Sequence, residues 1–261
     1  LISNFEFEYI LDIGIGFKDV RGEQIIFIGT KKNHVNNKKL VNVGVWNKNK
    51  SEKPLTHKIQ QGKLTRFGIF QLIEKPKVIS LISKIISKHP NLNSVCNGKI
   101  YRGIPVGANS KFVMTKPRNG YNEALRGDSI KKFGFDYNIY LKDRNYPKLT
   151  DELLKEKIVL QNIFSAESGV IASYDDTGLI TLDTVTNVFS TNEDPFYILG
   201  ILNSRLARFF MIFVIYLRSR LTMHTDRNYI GLLPIPKINS KLKASIIKEV
   251  NSLLQGEKSD K

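Results

Sequence analysis

Few stretches of this sequence place residues at spacings that could do chemistry. Asp12-Ile-Gly14-Ile-Gly16 closes the apolar run EYILDIGIGF (8–17). Glycines after a strand let the backbone approach a cofactor such as S-adenosylmethionine. Such a turn should then enter a helix, with an acidic residue about twenty positions on to hold ribose hydroxyls. Here KDVRGEQIIFIG (18–29) leads through Gly22 into another β-rich segment, and residues 31–42 contain no Asp or Glu. A strand ending in a glycine turn is the better reading.

DPFY (194–197) is similar to the Asp/Asn-Pro-Pro-Tyr loop with which amino-methyltransferases grip an extruded base. Phe196 replaces the second proline, and the motif opens a long apolar segment. Asp as N-cap and Pro in the first turn explain it without catalysis. No Asp or Glu is followed two positions later by Lys, so the metal-nuclease pattern is missing. Cys96 and four scattered histidines (34, 57, 89 and 224) show no metal-ligand spacing and no disulfide framework. The sequence thus offers no catalytic, cofactor or metal residues.

The elements around these motifs read as α+β. Residues 5–13 and 24–30 are adjacent strands, with a further short strand at 40–46 inside a Lys- and Asn-rich stretch, 31–66, that suits a linker or insertion. KPKVISLISKIISKHP (75–90) has helical spacing closed by Pro90. Strand-like segments follow at 135–141, 156–164, 169–175 and 184–191. A long helix is expected from Asp194 through FFMIFVIYL (209–217), and another over 240–255. The expected architecture is a twisted, mostly antiparallel sheet packed with helices, preceded by a β-hairpin.

Forty Lys and Arg against 24 Asp and Glu give a formal charge of +16. Such a field favours a polyanionic partner, through steering and counterion release. The apolar run 209–217 is too short, and too closely flanked by arginines, to span a bilayer. A single cysteine fits a reducing, cytoplasmic setting; no signal peptide is visible, and the chain begins without Met, as a fragment would. Basic residues cluster with Asn, Tyr and Gly at 97–122, 125–134 and 216–229. The candidate DNA contacts are Tyr101, Arg102, Asn109, Lys111, Arg126, Lys131, Lys132, Arg218, Arg220, His224, Arg227 and Asn228. Arg and Lys suit phosphates or guanine, and Asn suits adenine. For Arg102 and Arg126, pairing with a local acid such as Asp128 is the competing role. Arg205 and Arg208, three apart on the long helix, suit phosphate or a sheet edge. Eight such contacts would lower log K by about 7 per tenfold rise in salt.

KIYRGIPVGANSKFVMTK (99–116), LRGDSIKKF (125–133), EKIVLQNIF (156–164), FYILGILNSRLARFFM (196–211) and YIGLLPIPKI (229–238) follow one another in an order that resembles a known family. This is the TaqI-like C-terminal specificity domain of N6-adenine DNA methyltransferases and type IIG restriction–modification enzymes. GILNS followed by LPIP about thirty residues later is the most specific part. The resemblance implies a target recognition domain over 95–261, a linker with a connecting helix over 47–94, and the closing strands of a methyltransferase core over 1–46. It implies that double-stranded DNA is the partner. It also implies that catalysis and S-adenosylmethionine belong to a methyltransferase domain upstream or on another chain. Ile100, Ile104, Phe112, Leu199 and Leu202 are then core. Two other readings remain: a sequence-neutral nucleic-acid-binding protein, and a complete small methyltransferase using Asp12–Gly16 and Asp194–Tyr197.

Overall fold

The computed structural model describes residues 2–20, 22–46, 53–66, 69–70, 76–107, 110–136, 139–190, 192–219 and 222–256. The chain divides into two compact units, Leu1–Ser87 with Phe213–Leu221, and Lys88–Ile212 with Thr222–Lys261. Asn109 and Arg220 lie outside the described residues.

The first unit is built on β1 (Phe5–Gly14), β2 (Gln24–Lys31), β3 (Leu40–Val45) and β4 (Leu55–Gln60), in the order β2-β1-β3-β4. β2 runs antiparallel to β1, β3 parallel to β1, and β4 antiparallel to β3. Phe7, Ile10, Val41, Val43 and Ile59 form its core with Leu64, and with Ile79 from helix α1 (Pro76–Lys88). A two-residue pair, β5 (Thr65–Arg66) and β6 (Ile69–Phe70), completes the unit's strands among the described residues.

The polar stretch expected as linker or insertion carries β4 and β5 besides the expected strand β3. β4 escaped notice because only Ile59 of its six residues is buried, and its pairing rests on backbone groups. Gln61, polar yet fully buried, accepts from Phe7 N at 2.9 Å and donates to Phe5 O at 2.7 Å, standing in for a strand neighbour.

The glycine turn behaves as its sequence suggests. Asp12 Oδ1 accepts from Gly14 N at 2.8 Å, Gly14 takes φ +59°, and the chain returns as β2 with no helix between. The Asp12 carboxylate is thus held by its own turn.

The second unit holds two four-stranded sheets. α2 (Leu92–Val95) leads into β7 (Ile100–Arg102), β8 (Val113–Met114) and β9 (Tyr121–Leu125). A small hairpin, β10 (Ile130–Lys131) with β11 (Gly134–Phe135), precedes β12 (Ile139–Lys142), β13 (Lys157–Gln161) and β14 (Ile163–Phe164). β15 (Ala172–Asp175), β16 (Ile180–Thr181) and β17 (Val185–Val188) follow. The sheet orders are β16-β9-β12-β8 and β15-β13-β17-β7, and only the β16–β9 pairing is parallel. The result is α+β, with several small sheets in place of one continuous sheet.

β13 reads KIVLQ without alternation because both its faces are covered. On one face, Leu125, Ile130, Val159 and Val185 cluster. The other face meets α3 (Pro195–Leu202), whose Ile198, Leu199 and Leu202 are wholly buried. Lys157 and Asp175 are also wholly buried and paired at 2.6 Å. The Lys157 ammonium also donates to Leu179 O and Lys155 O, and the Asp175 carboxylate accepts from the loop groups Thr177 N, Thr177 Oγ1, Gly178 N and Leu179 N. Burial pulls the Lys157 pKa below the usual range, and Asp175 opposes that pull.

The expected single helix from Asp194 is broken. α3 ends at Leu202, and α4 (Arg205–Phe209) begins after a 53° bend before a π-type turn over Phe210–Ile215. The cause lies in GILNS itself. Asn203 turns its amide to the β15 backbone, accepting from Ala172 N at 3.1 Å and donating to Ala172 O at 3.0 Å, as another strand would. Ser204 restarts the helix by accepting from Ala207 N. Gly200 faces α6 (Ser240–Leu254), where a Cβ would meet Ile246 Cγ2 at 2.9 Å and Val250 Cγ2 at 3.1 Å. Among the described residues no single helix is long and apolar enough to cross a membrane.

LPIP closes the same packing. Tyr197 Oη donates to Pro236 O at 2.6 Å, while Leu233 O and Ile235 N bond Leu92 N and Pro90 O. The helix that runs into GILNS thus meets LPIP through Tyr197, and both segments are architectural. Asp194 caps α3, accepting from Phe196 N and Tyr197 N, and Phe196 packs edge-on against Tyr174 at 4.9 Å. Ile100, Ile104, Leu199 and Leu202 are buried as expected, and Phe112 partly so.

Candidate nucleic-acid interface

A polar cluster at one end of the β13–β17–β7 sheet gathers residues more than 120 positions apart. Cross-strand rungs set Arg102 opposite Thr186, and Thr186 opposite Leu160. Asn162, in the bend after β13, reaches Thr186 with its side chain. β14 pairs with β18 (Met223–His224), which brings His224 opposite Ile163. Asp226 follows at the start of α5 (Arg227–Ile230).

The bonds within this cluster fix its groups. Asp226 takes Arg102 through two oxygens, Nε to Oδ1 at 2.6 Å and Nη2 to Oδ2 at 3.0 Å. Asn162 Nδ2 donates to Asp226 Oδ1 and Thr186 Oγ1, both at 2.9 Å. Its Oδ1 accepts from Arg102 Nη2 at 2.8 Å and lies 2.8 Å from His224 Nδ1. Turning the Asn162 amide over would set its NH2 against the guanidinium and its oxygen against the carboxylate. The orientation of the Asn162 amide is therefore determined by Arg102 and Asp226. Burial pushes the Asp226 pKa up, but hydrogen bonds from Arg102 and Asn162 outweigh it and hold the carboxyl below its ordinary value.

Beside this cluster lies a concavity of about 490 Å³. Its polar groups are Arg126, Asp128, Gln161 and Thr184, set among Val106, Ile163 and Leu182. Arg126 Nε is held by Asp128, the local acid anticipated for it, and Gly127 N donates to Thr184 Oγ1 at 3.0 Å. Gln161 and Ile163 flank Asn162 in sequence, so the concavity and the polar cluster share a strand end. A concave, partly apolar site with a few fixed polar groups suits recognition of a planar, hydrogen-bonding ligand such as a base.

The fold brings the first and third basic clusters together. Tyr101 is exposed, with its ring 6.1 Å from Phe189. Arg227 donates to Asn93 Oδ1 at 2.8 Å and lies over Gly98, where a Cβ would come within 2.5 Å of its guanidinium; Gly98 itself takes φ +74°. Asn228 is exposed on α5. Lys131 pairs with Asp136 on the small hairpin, and its neighbour Lys132 is exposed. Lys111 lies over the Phe112 ring, away from the polar cluster, on the segment leading into β8. Arg218 belongs to the first unit, with its guanidinium 5.2 Å from the Phe213 ring centre. Arg208 donates to Ala166 O at 2.9 Å, anchoring a loop.

Sequence reasoning passed over Gln161, Asn162, Thr184 and Asp226. QNIF lay inside an apparently continuous strand, and nothing in the sequence tells that Asn162 interrupts it to bond across three elements. Among the described residues no group of three His, Cys, Asp or Glu could hold a metal.

Residues 122–235 match the family model of the TaqI-like C-terminal specificity domain. No curated protein matches the chain. Among solved structures, MmeI, a type IIL restriction–modification enzyme determined in complex with DNA, superposes with a TM-score of 0.53 at 12% identity, covering 97% of this chain and 38% of its own. The type IIG restriction endonuclease BpuSI gives 0.48 at 16% identity, covering 96% and 39%, a likeness too slight to argue from. This chain thus spans under two-fifths of either protein's length, and the MmeI likeness speaks to fold alone. The motif order and the family match agree: residues 122–235 of this chain are similar to the TaqI-like C-terminal specificity domain.

Proposed function

We propose that this chain is the duplex-DNA recognition module of an N6-adenine DNA methyltransferase or type IIG restriction–modification enzyme, and is not an enzyme by itself. The observation that carries the reading is the specificity-domain match over residues 122–235. Two features support it. A charge of +16 suits a phosphate backbone, and the concavity sets Arg126, Asp128, Gln161 and Thr184 among apolar walls, polar groups of the kind that reads base edges. Tyr101, Arg102, Arg126, His224, Arg227 and Asn228 are the contacts we assign around this strand end, with Lys131 and Lys132 as backbone contacts.

The methyl donor, S-adenosylmethionine, and the residues that use it belong in this reading to a methyltransferase domain outside residues 1–261. The first unit supplies its closing strands. β2 supports that role: its successive residues Ile25, Ile26, Phe27 and Ile28 are 37–51% exposed, on both faces of an edge strand. Four bulky apolar residues so placed call for cover by further sheet and helices. Asp194 and Tyr197 have no place in catalysis here, since a helix cap and a buried hydrogen bond occupy them.

Selection of bound duplexes from a random-sequence pool, at near-physiological salt, tests the proposal. Enrichment of a short defined site is expected. Salt-sensitive binding with no enrichment would overturn sequence reading in favour of a neutral nucleic-acid-binding protein, and no binding would remove DNA recognition by this chain altogether.

A further inference from the structure

A second cationic surface lies in the β16-β9-β12-β8 sheet. Strand pairing sets Tyr140 opposite Met114, Leu141 opposite Val113, and Lys142 opposite Tyr121. Lys142 N and Asp143 N donate to Phe112 O and Gly120 O. Three cations far apart in sequence thereby meet on neighbouring rings. Lys111 Nζ and the Arg144 guanidinium both lie over Phe112, at 5.5 and 4.4 Å from its centre. Arg144 is also 5.6 Å from the Tyr146 ring, and Arg118 is 5.8 Å from Tyr121. All three cations are exposed.

Their partners distinguish them from the other basic residues. Arg102, Arg126 and Lys131 are each paired with a carboxylate. Among the described residues, no carboxylate lies within ion-pair distance of Lys111, Arg118 or Arg144, although Glu123 is on β9 and Asp143 directly follows β12. An aromatic face holds a cation and limits its rotamers without cancelling its charge. Two cations on one ring also repel each other, a cost that an intervening anion relieves. The surface is thus pre-positioned and left positive.

Resting on the reading of this chain as a duplex-DNA module, we infer that Lys111, Arg118 and Arg144 form a backbone clamp. It grips phosphates outside the base-reading cluster and contributes affinity without sequence preference. Backbone contacts of this kind set register and carry no base information. The clamp depends on Phe112 and Tyr146, both of which pack in or against the core of the same sheet.

The test uses the whole 261-residue chain and a duplex carrying its selected site. The triple variant Lys111→Gln/Arg118→Gln/Arg144→Gln is compared with Lys237→Gln/Lys241→Gln/Lys248→Gln, which removes the same charge from exposed positions near and on α6. Anisotropy titrations across salt should show the clamp variant losing about 2.7 from the slope of log K against log salt, three contacts at about 0.9 each. The control should lose much less, and the selected site should stay the same for both. Matching thermal unfolding of all three proteins establishes that the fold is intact. An unchanged slope, or equal losses in the two variants, would overturn the clamp while leaving sequence reading by the wild type untouched. A changed selected site would also overturn it, since these residues would then read bases. Failure of the wild type to select any site would instead remove the recognition proposal on which the clamp rests.

Discussion

The Lys157–Asp175 pair offers a sharp test of how the second unit is held together. Both side chains are fully buried, so solvent screening gives no discount. Lys157 has all three ammonium hydrogens engaged, by Asp175 Oδ2, Leu179 O and Lys155 O. Asp175 has four further donors from the loop that follows β15. Removing one member of such a pair costs about 3–5 kcal/mol, because the other is left charged in a dry interior. The two halves are unequal. Lys157→Met leaves the carboxylate with four loop donors and should fall at the lower end. Asp175→Ala strands the ammonium and the four loop donors together and should reach the upper end or exceed it. At roughly 2–4 °C per kcal/mol for a unit of this size, melting should drop by about 6–20 °C, read by far-UV circular dichroism or calorimetry. The double variant Lys157→Met/Asp175→Leu should not regain stability, since Thr177, Gly178 and Leu179 still lack an acceptor. Wild-type stability in Lys157→Met, or a milder effect for Asp175→Ala than for Lys157→Met, would refute this account.

Other expectations follow from single sites. Asp226 is held below its ordinary pKa, so its contribution to stability is complete above about 3.8 and is lost as pH falls through its folded value; Asp226→Asn should flatten the pH dependence of unfolding in that acidic window. Cys96 is wholly buried, and burial pushes its thiol up to about 12. A thiol reagent at pH 8 should therefore label it only as fast as the second unit opens, and rapid labelling of the native protein would contradict its placement. Asp194→Ala should cost about 0.5–2 kcal/mol as a lost helix cap and leave duplex binding unchanged below the new melting point. A loss of binding far larger than the loss of stability would reopen a direct role for Asp194.

Much of this protein was legible from local pattern. Strands at 5–14 and 24–31, the helix closed by Pro90, the cap at Asp194 and the amphipathic helix 240–254 all follow from spacing and capping chemistry that act within a few residues. The glycine turn after Asp12 could be judged because a cofactor site needs a helix behind it, and the next segment is plainly a strand.

What the sequence did not disclose depends on partners far along the chain. β4 has one buried residue and pairs only because β3 presents an edge. The segment after Asp194 has unbroken apolar character, and its bend appears only when Asn203 finds Ala172 across the packing. The basic residues were visible in the sequence, but their roles were not. Arg102 is fixed by an acid 124 positions away, whereas Lys111 and Arg144 share a ring and keep their charge. Composition alone fixed the formal charge of +16, because net charge is a sum over residues. Only the tertiary structure decided which cations pair with carboxylates and which lie on aromatic rings, because that depends on distances of a few ångströms between distant residues.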